Sequence, residues 1–95
     1  MRGDALDMFR RVTVSYTVSK ILAYNPKRIT AVIMNMGDRT VYISQDPKYV
    51  ELNGFPIFPT ATVMLDKLDG DKPELDLYAR TATGETILAI EEGLE

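Results

Sequence analysis

The chain contains no histidine, no cysteine and no tryptophan. Without histidine it lacks the commonest general base and the commonest zinc ligand. Without cysteine it has no thiolate nucleophile and no disulfide framework, which argues against a small secreted, stapled scaffold. No stretch approaches the roughly 18 consecutive apolar residues that suggest a membrane span. There is no surplus of positive charge either: 11 Lys and Arg are spread among 14 Asp and Glu for a net charge of −3. With no basic field nucleic acid is not expected as a partner, and with no apolar span neither is the membrane. The opening residues, MRGDALDMFRR, alternate charged and apolar positions and lack the apolar region of a signal peptide, so synthesis in the cytoplasm is expected.

The remaining chemistry is equally sparse. The serines are Ser15, Ser19 and Ser44, each inside a strand pattern rather than on a strand-to-helix elbow. Gly70-Asp71-Lys72 is an isolated turn, not a phosphate-binding loop. The acidic cluster Asp66, Asp69, Asp71, Glu74 and Asp76 offers oxygen ligands of the kind calcium takes. Its spacing is not that of an EF-hand, and Lys67 and Lys72 stand among the acids, so a solvated turn is the expected reading. A pair of carboxylates could serve glycoside hydrolysis, but 95 residues leave no insertions to build a cleft around them. The expectation is a non-enzymatic protein with no catalytic residue, no metal and no cofactor.

What the sequence does have is regular alternation. Hydrophobic residues make up 45% and charged residues 26%, which is the composition of a folded domain. Residues 1–9, which include the adhesion-like tripeptide Arg2-Gly3-Asp4, read as a short N-terminal arm, and residues 10–95 as a single domain. From residue 12 to 18, Val12, Val14, Tyr16 and Val18 share one face and Thr13, Ser15 and Thr17 the other, with a break of phase near Ser19 and Lys20. Residues 29–36 and 40–44 read as a hairpin about Gly37-Asp38. Residues 45–59 form the longest irregular stretch, and a further strand ends at Asp69-Gly70-Asp71. Residues 75–81 and 86–92 read as a second hairpin about Thr83-Gly84-Glu85. Six or seven short strands at this spacing indicate an all-β fold: a small antiparallel β-sandwich or jelly-roll-like barrel with a short N-terminal arm.

Two groups of residues are candidate contact surfaces. In residues 29–36 the face opposite Ile29, Ala31 and Ile33 carries Val32, Met34 and Met36, so this strand is either covered on both sides or lends a face to a partner chain. Tyr49, Phe55 and Phe58 surround a proline-rich loop, which either caps the sandwich by burying its own side chains or presents a rigid aromatic contact surface. Two structural corners stand out. Asn25, Pro26 and Arg28 fix the entry to the first hairpin, where Arg28 is expected to brace the loop more than to reach a neighbouring chain. Asn53 and Gly54 offer a tight turn with positive φ.

The series NPKR, ITAVIMNMGDRTVYI, NGFPIFP and LDLYARTATGETILAIEEG resembles small β-sandwich virion proteins encoded among the head and tail genes of tailed phages, prophages and related archaeal viruses. The resemblance runs from about Tyr24 to Glu92. The chain departs from that pattern at PTATVML, where a Pro-Gly-Glu turn stands in the family, and in its long first strand. What the resemblance implies is a structural role in the virion, as a capsid decoration or head- or tail-associated assembly module. It would be a homo-oligomer, a trimer if it decorates an icosahedral lattice, bound to other virion proteins. The alternative from another class is a carbohydrate- or ligand-binding β-sandwich module.

Overall fold

The computed structural model describes residues 9–95, and of residues 51–53 the backbone alone. The arm expected at residues 1–9 therefore lies outside the described residues except for Phe9, which precedes the first strand. Eight strands follow: β1 (Arg10–Val14), β2 (Ser19–Leu22), β3 (Arg28–Asn35), β4 (Val41–Ser44), β5 (Phe55–Ile57), β6 (Thr62–Asp66), β7 (Leu77–Thr81) and β8 (Thr86–Leu94). A helix, α1 (Pro47–Asn53), lies between β4 and β5, and a 3-10 turn, Lys67–Asp69, follows β6.

The strands form two antiparallel sheets in the orders β1-β8-β3-β6 and β2-β7-β4-β5. The chain crosses between sheets at every connection except β4 to β5, which is the winding of a jelly roll. The protein is thus a small antiparallel β-sandwich of jelly-roll form.

Three sequence expectations are corrected by this winding. The strands number eight, because residues 12–18 are not one strand: the chain leaves the first sheet after Val14, bends at Tyr16 and Thr17, and enters the second sheet at Ser19. Polar and apolar residues alternate on both sides of that bend, so the period continues where the strand does not. The irregular stretch 45–59 holds α1, with Pro47 in its first turn and Asp46 as its N-cap accepting from Lys48 N, a standard helix start.

Neither expected hairpin forms, since β3 and β4 lie in opposite sheets, as do β7 and β8. The first connection closes on a side chain instead of a ladder. Asn35 Oδ1 accepts from Gly37 N at 3.1 Å, while Asn35 Nδ2 donates to Arg39 O at 2.7 Å. Gly37 also packs so closely on the Thr86 side chain that a Cβ there would collide with it. At the second connection Gly84 adopts φ 72°, and the Thr81 hydroxyl donates to Gly84 O at 2.7 Å.

Between the sheets lies an aliphatic core. Ala31 and Ile33 of β3 and Leu88 and Ile90 of β8 face Val41, Ile43 and Ile57 of the second sheet. The largest polar side chains buried in the sandwich stand at the two ends of β3. Arg28, 3% exposed, donates from Nε to Glu92 Oε1 at 2.9 Å, from Nη1 to Pro73 O at 2.9 Å and from Nη2 to Ala23 O at 2.7 Å. Asn35 donates additionally to Ile57 O at 2.9 Å and accepts from the Thr86 hydroxyl at 2.9 Å. Removing either side chain strands buried partners. Arg28→Ala is expected to lower unfolding free energy by about 3 kcal/mol, because the Pro73 and Ala23 carbonyls lose their charged donor and the half-buried Glu92 keeps, among the described residues, only Arg10, 3.9 Å away. Asn35→Ala is expected to cost about 2–3 kcal/mol, for the orphaned Thr86 hydroxyl and Ile57 carbonyl. Urea unfolding measures both; a change below about 1 kcal/mol would show that the ends of β3 are held by something else.

Candidate functional site

The sandwich closes differently along its two long sides. On the β1–β2 side the chain itself passes from one sheet to the other through residues 15–18, where Thr81 N donates to Ser15 O at 2.9 Å. Arg10, on the edge strand of one sheet, donates from Nη2 to Ile21 O on the edge strand of the other at 2.8 Å. A charge-assisted bond to a carbonyl is a firm clasp. On the other side, among the described residues, no hydrogen bond joins β5 to β6. The sheets are tied there only at the ends, by Asn35 to Ile57 O and by Gln45 Nε2 to Lys72 O at 2.7 Å.

Between those ties opens a cleft of about 340 Å³. The pairings Ala31 with Leu65 and Ile33 with Val63 turn Val63 and Leu65 inward to form one wall. Across from them stand Ile43, Phe55 and Leu77 of the second sheet. Phe55 pairs with Ile43 and so shares its face, yet it is 59% exposed because it stands at the mouth.

Polar groups gather at one end. Asp71 Oδ2 accepts from Asp66 N at 2.9 Å and Asp71 N donates to Asp66 O at 3.2 Å, so the carboxylate is fixed by the backbone it caps. Gln45 is oriented by its bond to Lys72 O, and Ser44 Oγ accepts from Asp46 N at 3.0 Å. Asp71 Oδ1, Gln45 Oε1 and the Ser44 hydroxyl proton make no hydrogen bond among the described residues, and all three residues line the cleft. The arrangement can hold an apolar body and accept hydrogen bonds from a polar head.

The residues singled out in the sequence are distributed as follows. Phe55 lines the cleft, whereas Tyr49 stands on the exposed side of α1 and Phe58 beyond the end of β5, both largely in solvent. The loop buries Val50 rather than its aromatic residues. Val32 and Met34 lie on the outer face of the other sheet and Met36 continues that face, with Met64 and Ile87 beside them. Val32, Met34 and Met36 thus share one outer face, and of the three aromatic residues only Phe55 lines the cleft.

In the first corner Asn25 Oδ1 accepts from Lys27 N at 3.0 Å and Asn25 O from Arg28 N at 3.0 Å, with Pro26 exposed between them. Asn53 closes α1, and Gly54 has φ −71°, so the expected positive-φ turn is absent. Glycine is needed there for space, since a Cβ would lie 3.0 Å from both Ile43 O and Tyr42 Cβ. In the acidic cluster Asp66 caps Leu68 N at 3.0 Å and Asp76 accepts from Tyr24 N at 2.7 Å. No three acids gather to hold a metal among the described residues.

Sequence reasoning missed Val63, Leu65, Leu77, Gln45 and Asp71 as site residues. The available signal was PTATVML, an alternating strand whose residues 61–65 carry no charge.

No family model matches the chain, and no curated protein matches it. Among solved structures, the cupin_2 domain of an XRE-family transcriptional regulator from Enterobacter cloacae is similar, with a TM-score of 0.63 and 6% sequence identity over 93% of this chain and 83% of that one. At identity this low the likeness shows the fold alone, here the cupin-like jelly roll. It also corrects the virion reading drawn from NPKR and the strands after it. The similar structure is a domain of a transcriptional regulator, and nothing links this chain to a phage head, tail or capsid, to virion partners or to a virion location. Those short motifs mark the turns and strands of a jelly roll, which many unrelated proteins share.

Ile43 and Phe55 share one wall of the cleft but differ in what they hold up. Ile43→Ala, at a buried position, is expected to cost about 2–4 kcal/mol in urea unfolding, and Phe55→Ala less than about 1 kcal/mol. Equal losses would mean that Phe55 belongs to the core.

Proposed function

We propose that this protein is a non-catalytic ligand-binding module whose ligand lies in the cleft between β5 and β6. The observation that carries the proposal is the cleft itself: aliphatic walls of Val63, Leu65, Ile43 and Leu77, with unpaired acceptors of Asp71 and Gln45 at one end. Its volume of about 340 Å³ falls at the lower end of small-molecule sites. The ligand is a small, mostly apolar molecule bearing a hydrogen-bond donor, and a neutral or cationic head suits Asp71 better than a carboxylate. Sugars fit less well, because the one aromatic residue lining the cleft, Phe55, stands at its mouth while the inner walls are aliphatic.

Among the described residues the Ser44 hydroxyl makes no hydrogen bond to Asp71, the carboxylate that lines the cleft, which supports binding without turnover. The similar domain is part of a transcriptional regulator, and that context supports a sensing role in which occupancy of the cleft is passed on to another component.

The test uses N-phenyl-1-naphthylamine, a neutral apolar amine that fluoresces when desolvated. Saturable enhancement is expected, competed by short alkylamines more strongly than by the matching carboxylic acids. Val63→Trp, which fills the cleft from its rim, is expected to weaken the probe at least about tenfold with thermal unfolding little changed. Wild-type protein that gives no saturable signal, or a variant that binds as well as wild type, would overturn the proposal.

A further inference from the structure

The four edges of the two sheets are not equally protected. Edge strand β1 carries Arg10 and Arg11, β2 carries Lys20 and has its Ile21 carbonyl occupied by Arg10, and β5 is only three residues long with Pro56 at its centre. Charges, proline and brevity are the usual defences against edge-to-edge pairing. Edge strand β6 has none of them from Thr62 to Leu65.

The direction of its free backbone groups follows from the ladder. Asn35 N bonds to Ala61 O at 3.0 Å and Met36 N to Ile87 O at 2.8 Å, so odd-numbered residues of β3 bond to β6 and even-numbered ones to β8. With Ile33 opposite Val63 and Ala31 opposite Leu65, Val63 and Leu65 are bonded inward, and the N–H and C=O of Thr62, Met64 and Asp66 point away from the sheet. Those of Asp66 are already taken by Asp71. Four groups are left open, two on Thr62 and two on Met64.

We infer that this edge pairs with the same edge of a second copy of the chain, antiparallel about a two-fold axis through Val63, to give a dimer with a continuous eight-stranded sheet. The self-complementarity selects a second copy as the occupant. Thr62 then faces the second copy's Met64, and its own Met64 the second copy's Thr62, so all four open groups on each chain are used. An axis through Met64 would instead set Thr62 against the second copy's Asp66, whose groups Asp71 already fills. In the chosen register Asp66 meets the second copy's Thr60, so no like charges oppose each other, and the exposed Met64 side chains of the two copies flank the seam. A two-fold contact of one patch with itself closes and does not propagate. The dimer stands whether or not the cleft takes a ligand.

The axis gives a sharp test. Val63 and the second copy's Val63 form a non-hydrogen-bonded pair with Cα atoms about 4.5 Å apart, within disulfide reach. Because the chain has no cysteine, Val63→Cys under mild copper-phenanthroline oxidation is expected to give a covalent dimer, and Thr13→Cys on edge strand β1 is not. Light scattering coupled to size exclusion, from about 1 µM to about 1 mM, is expected to show wild type passing from monomer to dimer. Met64→Pro removes only an outward N–H and is expected to remain monomeric across that range with an unchanged circular dichroism spectrum. Wild type that stays monomeric throughout, or a Met64→Pro variant that dimerises as wild type does, would overturn the inference. So would cross-linking of Thr13→Cys as efficient as that of Val63→Cys.

Discussion

The rest of the structure depends on the two buried polar side chains that fix the ends of β3. Arg28 ties the start of that strand to carbonyls of two separate loops and to a carboxylate of β8. Asn35 ties its end to the crossing loop, to β5 and to β8. Between these points β3 is bonded on both sides and contributes Ala31 and Ile33 to the core. Burying a guanidinium or an amide is costly unless it is hydrogen-bonded; each of the three Arg28 guanidinium nitrogens donates one bond, and both Asn35 N–H donors are used. The network specifies where the chain leaves one sheet for the other, a choice that nonspecific aliphatic packing does not make.

That pinning leaves the sandwich asymmetric. The β1–β2 side is clasped by Arg10 and by the chain's own crossing, whereas among the described residues the β5–β6 side is joined only at its ends. The core aliphatics that would meet in a closed sandwich are held apart there, and a cleft results whose walls are core residues and whose polar end is built from backbone-capping side chains. Asp71 illustrates the economy of this arrangement. Its Oδ2 and backbone N–H terminate β6, and the same residue lines the cleft.

Much of the fold was legible in the sequence and little of the site. Period-two alternation identified the strands and their inward residues, because a half-buried strand writes its burial directly into the chain. It could not identify the crossings. The alternation of Val12, Val14 and Tyr16 passes unbroken through a bend, and Gly37-Asp38 serves an arch as well as it serves a hairpin. The corner marks Arg28 as a brace, but its reach to Glu92, 64 residues away, and the burial of Asn35 depend on partners distant in sequence. Gly54 was read for its φ when its requirement is space. The cleft residues were invisible for a similar reason: Val63, Leu65 and Leu77 are ordinary inward positions, and only the missing bridge between β5 and β6 exposes them.

Nuclear magnetic resonance of selectively methyl-labelled protein during titration with a short alkylamine tests the central claim most directly, because it reports position rather than affinity. Ligand binding in the open side of the jelly roll is expected to shift the methyl signals of Ile43, Val63, Leu65 and Leu77, and to leave Val14 and Ile21 on the clasped side unmoved. Saturable shifts centred on Val14 and Ile21, or on Val32 on the outer face, with the cleft methyls silent, would contradict it.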